Sequence, residues 1–285
     1  MTLMPEDSCD RLLDGCQTIA AAAETSDATM WEVFAIQSYG REVEIERGRV
    51  SLAGGGGDGG YGIRVLNEGR IGFAYSANLD GAQQMIDEAL RASKLVPAIE
   101  GMELPEDKGA SEVVGMWDPA VDSTTPEELM QQADSLLQEV EELDSRAMVV
   151  GGGVALSSHA GALLTSQGIS STGMVSSHVS GIQVSIDEDD RITSGWSSQQ
   201  SRSLLQDFTP MCEEGVEWAV KTRDTIEDGG ATIEAPVLFT YRGISSLFSN
   251  IFCSALRGEK LARKESVWSG KEGQKVMADH LTIID

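Results

Sequence analysis

Apolar positions recur at helical spacing early in the chain and then change to strand spacing. In residues 6–24, Cys9, Leu12, Leu13, Cys16, Ile19, Ala20 and Ala23 form one stripe, which predicts an amphipathic helix. Residues 30–38 are rich in strand formers, and residues 42–46 alternate Glu/Val/Glu/Ile/Glu, the pattern of a half-solvated strand. Arg47-Gly48 reads as a tight turn into a short strand over 50–53. A glycine run follows, then a strand over 61–66, a turn at 67–70 and a return strand over 71–75. The period then becomes helical again, with Leu79, Ala82, Met85, Ile86, Ala89 and Leu90 on one side and Asn78 placed as N-cap. Residues 1–96 are thus expected to form an N-terminal α+β unit of helix, about four antiparallel strands and helix.

Residues 97–123 carry proline, glycine and acidic residues without periodicity and read as a surface linker. A second α/β unit is expected over 124–228. It opens with Thr125-Pro126-Glu127-Glu128, a capping box with proline at the first helical position. Leu129, Met130, Ala133, Leu136, Leu137 and Val140 then share a face. Strands are predicted over 147–157, 162–166, 169–177, 179–186 and 191–196, with turns at "SHAG" (Ser158 to Gly161) and "DEDD" (Asp187 to Asp190). Thr209-Pro210 starts another helix, running to about residue 223, with Met211, Val216, Ala219 and Val220 inward. A third unit, 229–285, begins with a strand over 237–241. It continues into a helix whose Ile244, Leu247, Phe248, Ile251, Phe252, Ala255 and Leu256 keep strict amphipathic spacing. The strand-like end "DHLTIID" has no element behind it, so the sequence is expected to stop inside an incomplete, β-rich C-terminal domain. The fold class is mixed α+β, with antiparallel sheets flanked by helices.

Charge narrows the function classes. Forty-six acidic residues against 21 basic ones give a net charge of −25. Such a surface repels phosphate backbones and anionic headgroups and lacks the cationic cluster that releases counterions, which argues against direct nucleic-acid or membrane binding. No apolar run approaches a bilayer-spanning length and the N-terminus lacks a signal-peptide pattern, so a cytoplasmic location is expected. Cys9, Cys16, Cys212 and Cys253 contain no CxxC pair and read as reduced, mostly buried thiols.

Candidate chemistry is sparse. "AGGGGDGGYGIRV", residues 53–65, satisfies G-x-G-x-x-G twice, yet no helix follows to present a dipole to phosphate. It is therefore expected to be a flexible loop between strands. His159, His178 and His280 have no His, Cys or carboxylate partner at helical metal-site spacing. His159 and His178 can approach only across neighbouring strands, near the acidic turn, and read as solvated surface residues. No G-x-S-x-G elbow exists, and Ser158 and His159 are adjacent strand positions that face opposite ways. The residues themselves assign no catalytic, cofactor-binding or metal-binding side chain.

Three segments resemble the TldD/PmbA family. Gly62-Ile63-Arg64-Val65, Gly69-Arg70-Ile71-Gly72-Phe73-Ala74 and Asn78-Leu79 match its N-terminal pattern. Ser157 to Gly161 is similar to its central domain, and residues 257–285 are similar to the lead into its C-terminal domain. The resemblance implies a peptidase complex in which a TldD-type subunit carries a His-Glu-x-x-x-His zinc helix. The matching helix here has no histidine, so the resemblance implies a zinc-less TldE/PmbA-like subunit, zinc on the TldD-type partner, and unfolded peptides as substrate. Two alternatives stand beside it: a homodimeric peptide-binding regulator, and a peptidase with its own metal using His280 and residues beyond Asp285.

Overall fold

A computed structural model describes residues 4, 7–109, 113–224, 232 and 234–281. The chain divides into two compact units, Met1–Ile226 and Glu227–Asp285.

The first unit is built on one six-stranded antiparallel sheet in the order β3-β2-β1-β4-β5-β6. Its strands are β1 (Met30–Glu46), β2 (Arg49–Asn67), β3 (Arg70–Ser76), β4 (Ala147–Thr165), β5 (Ser170–Glu188) and β6 (Arg191–Ser201). Three hairpins close in two residues: Arg47-Gly48, Glu68-Gly69 and Asp189-Asp190, each pair with both φ values positive. That is the I′ pattern, whose twist matches the strands it joins.

Several expected breaks are absent. Residues 30–38 and 42–46 are parts of one strand, β1, so three strands rather than four precede the second helix. "SHAG" is not a turn, because Ser158 to Gly161 pair in register with Tyr39 to Ile36 on one side and Ser176 to Gly173 on the other. The glycine run is likewise not a loop: Gly54 to Gly60 continue β2, paired with Glu42 to Ile36 of β1. Glycine's loop propensity is overridden because β1 supplies the ladder partners and, at alternate positions, tolerates no Cβ. A Cβ on Gly57 would stand 2.3 Å from the Tyr39 ring, and one on Gly59 2.6 Å from the Ile36 carbonyl oxygen.

All the helices of this unit that cover the sheet pack on one face. α1 (Ser8–Glu24) and α2 (Ala82–Ser93) meet Val33, Ala35, Ile63, Val65, Ala160 and Ala162 in one hydrophobic cluster. α4 (Pro126–Leu143) and α5 (Thr209–Lys221) meet Val43, Ile45, Val154, Leu156, Ile182 and Val184 in another. Close approach is bought with glycine: a Cβ on Gly72 would lie 1.8 Å from the Ala89 carbonyl oxygen of α2. The segments expected as separate units thus share one sheet while keeping two hydrophobic clusters. Between the clusters runs a buried polar seam, Ser158, Ser176 and His178.

Helix starts follow the sequence in part. Thr125 and Glu128 form the reciprocal capping box, with Pro126 at the helix start. Asn78 does not cap α2: Gly81 holds that position, and Asn78 Oδ1 instead accepts from the Asp80 N–H at 3.2 Å. The expected linker contains a short helix, α3 (Pro119–Ser123), whose Val121 is fully buried.

In the second unit, Val237 to Thr240 belong to no sheet, and a helix begins at Tyr241 where a strand was expected. It runs as α6 (Tyr241–Leu247), a π-helical turn over Phe248–Phe252 and α7 (Cys253–Leu256), followed by α8 (Gly258–Ala262). No strand occurs among the described residues of this unit, and the last four residues of "DHLTIID" lie outside them.

Candidate functional site

Alternate residues of the strands build the sheet face that carries no helix of the first unit. Read across β2, β1, β4 and β5, its rows are Gly60–Ile36–Gly161–Gly173, Asp58–Ser38–His159–Val175, Gly56–Gly40–Ser157–Ser177 and Gly54–Glu42–Ala155–Val179. One end is aromatic: the Phe34 and Phe73 rings stack at 6.0 Å and Phe73 and Tyr75 at 6.2 Å. The middle is small and hydroxylic. The other end is acidic, with Glu42 and Glu44 exposed. A depression of about 440 Å³ lies around Gly161 between Phe34, Ile36, His159 and Leu163. A second, of about 360 Å³, lies around Glu42 over Gly40, Gly55, Gly56 and Ser157.

His159 sits at the centre, Nδ1 2.9 Å from Ser38 Oγ and Nε2 3.1 Å from Ser157 Oγ. A serine next to an imidazole raises the question of acyl transfer. The third group is a hydroxyl, which cannot stabilise an imidazolium as a carboxylate does. Both neighbours of β4 hold its backbone in ladders, so no pair of free N–H groups converges as an oxyanion hole. The cluster fixes polar groups on the face and does not make a nucleophile.

The other expected candidates separate. His178 pairs with Leu156 in register and faces the helices, whereas His159 faces the open side, so the two histidines do not meet. His178 is also not solvated: it is fully buried, accepts from the Leu205 N–H through Nδ1 at 2.9 Å, and burial pushes its pKa down to about 4. A neutral ring with Nδ1 accepting carries its proton on Nε2, which has no partner among the described residues. His280 lies exposed in a turn. In the acidic turn, Glu188 and Asp189 pair with Arg223, and Glu188 also with Arg146. Among the described residues no group of three or more His, Cys, Asp or Glu side chains is placed to hold a metal ion.

All four thiols are free. Cys16 and Cys212 are buried and raised to about 11 and about 12 by desolvation, while Cys9 is half-buried and Cys253 exposed, fewer buried than the sequence suggested. In the second unit, residues 241–258 contain no His, Asp or Glu. Their aromatic face stacks internally, Phe248 on Phe252 at 5.4 Å and Phe252 against Trp268 at 6.1 Å.

Sequence comparison falls on the same regions. The profile of PmbA/TldA metallopeptidase domain 1 matches residues 31–93, and that of the PmbA/TldA metallopeptidase C-terminal domain matches residues 232–285. Both matches are to domains of the TldD/PmbA family. An uncharacterized protein of Methanocaldococcus jannaschii is 24% identical over 255 residues, covering 89% of this chain and 58% of that relative. Among solved structures, TldE from Thermococcus kodakarensis superposes with a TM-score of 0.75 at 19% identity, over 90% of this chain and 57% of TldE. A candidate modulator of a DNA gyrase from Thermotoga maritima gives 0.74 at 15% identity, over 90% and 58%. A second such protein, from Bacteroides thetaiotaomicron, gives 0.74 at 17%, over 92% and 61%. At these identities the shared property is the fold, and this chain spans about six-tenths of the length of each TldD/PmbA-like structure.

Proposed function

We propose that this chain is a zinc-less, TldE-like subunit of a cytoplasmic two-chain metallopeptidase that cleaves unfolded peptides. The observation that carries the reading is the helical segment 241–258. It lies in the match to the family's C-terminal domain and offers Ser, Leu, Phe, Asn and Cys where zinc hydrolysis requires imidazole and carboxylate ligands. The glycine- and serine-paved sheet face supports a role in accommodating an extended chain, since strands without bulky side chains let another backbone approach. Hydrolysis then belongs to a TldD-type partner with the His-Glu-x-x-x-His helix.

Co-expression of the complete chain with such a partner tests this. The expected result is co-elution, with zinc in the partner alone and peptide cleavage that needs both chains. Tightly bound stoichiometric zinc in this chain by itself, or cleavage by the partner that is indifferent to this chain, contradicts the proposal.

A further inference from the structure

Among the described residues, the outer edge of β2 has no strand beside it over most of its length. β3 pairs only with Tyr61 to Asn67, which leaves residues 49–59 bonded to β1 on one side and open on the other. Ser51 to Gly59 are all exposed. Unpaired edges invite strand addition, and proteins usually blunt them with lysine, proline or a covering element. This stretch contains neither lysine nor proline.

The glycines of the edge fall into two classes. Gly55, Gly57 and Gly59 are required by the fold, because a Cβ there meets the Gly40 carbonyl oxygen, the Tyr39 ring or the Ile36 carbonyl oxygen at 2.9 Å or less. Gly54 and Gly56 are not: a Cβ on either meets nothing within 4 Å, and neither has a positive φ. Both face the open side of the sheet, as exposed Asp58 does; Gly54 lies opposite exposed Glu42 of β1 and Gly56 opposite Gly40, while exposed Glu44 lies opposite Leu52. No ion pair engages these three carboxylates among the described residues, whereas Glu46, further along, is met by Arg47.

We infer that the β2 edge receives an extended cationic peptide segment as an added strand, with a Lys or Arg side chain lying across Gly54 to reach Glu42. A strand added to β2 lies two strand spacings, about 10 Å, from β1, a gap that a long cationic side chain and a glutamate close together only if the intervening residue has no side chain. Bare glycine supplies that passage. Charge complementarity selects the occupant: a second copy of this chain would bring the same carboxylates to the edge, and like charges on neighbouring strands repel. The inference rests on the peptidase-subunit reading for its biological setting and names the class of peptide handled.

The test measures fluorescence anisotropy with the complete chain and labelled unstructured peptides of roughly ten residues, alternating Thr–Lys or Thr–Glu. The Thr–Lys peptide is expected to bind about tenfold more tightly than Thr–Glu at low salt and to lose that advantage as salt rises. Glu42→Gln is expected to remove about the same factor by cancelling the charge pairing. Gly54→Leu, which has free space for its side chain, should keep the circular dichroism of the parent and lose Thr–Lys binding. N-methylation of alternate peptide nitrogens should abolish binding by removing the ladder donors. Equal binding of the two peptides, indifference to the Glu42 variant, or self-association through the edge without peptide each overturns the inference. Co-elution with a zinc-bearing partner alongside charge-blind peptide binding would overturn this inference alone. Charge-selective binding without any such partner would instead leave it standing and remove the subunit assignment.

Discussion

His178 is an ordinary residue type in an extraordinary setting for its charge. Its folded pKa, about 4, lies below the unfolded value of about 6.5, so between those values the unfolded chain binds the proton and the native one does not. Stability therefore falls as pH drops from 6.5 toward 4, by up to about 3 kcal/mol from this group. Thermal midpoints measured from pH 7 to 4.5 should decline through that window, and a His178 imidazole that titrates near 6.5 in the native protein would refute the assignment. The thiols make a parallel contrast. Exposed Cys253 should react with a disulfide reagent in the native state, while Cys16 and Cys212 should react only after unfolding, as thiol-release kinetics will show. None of this was legible residue by residue. His159 and His178 look alike in a serine-rich sequence, and only the register between β4 and β5 decides which one faces the helices.

Among the elements, several with a local chemical signature are legible in the sequence, although Asn78 does not cap α2. The Thr125/Glu128 capping box and the Arg47-Gly48, Glu68-Gly69 and Asp189-Asp190 reversals need only their own residues to form. Thr125→Ala should accordingly cost about 1 kcal/mol in chemical denaturation. The errors lie where a distant partner decides. Gly54 to Gly60 and "SHAG" carry loop composition, yet each is held as strand by a β1 ladder, and no spacing within either segment announces that. The same logic sorts glycine substitutions. Gly72→Ala forces its Cβ onto a helix carbonyl and should destabilise by about 2 kcal/mol or more, whereas Gly54→Ala meets open space and should be neutral or stabilising. Denaturation midpoints should therefore fall for Gly72→Ala and hold or rise for Gly54→Ala.

The whole first unit joins two hydrophobic clusters by strands that belong to both. β1 contributes Val33 and Ala35 to one and Val43 and Ile45 to the other, and β4 does the same with Ala160 and Ala162 against Val154 and Leu156. The sequence divides the chain where α2 ends because helical and strand periods restart there. The continuity arises from β1 pairing with β4, which leaves no mark in either segment alone. The strand order has a kinetic meaning. β3-β2-β1 and β4-β5-β6 are two meanders whose ladders join neighbours in sequence, while the β1–β4 ladder alone joins residues separated by the whole segment from β2 to α4. Local hairpins form in microseconds, and pairing across a long loop must first overcome its closure entropy. The join between the meanders is thus expected to set the folding rate. Val43→Ala, on that join opposite Val154, should slow refolding, and so should an equally destabilising change within the β5–β6 hairpin, which forms before the join; a stopped-flow chevron in which the hairpin variant chiefly hastens unfolding would contradict that order.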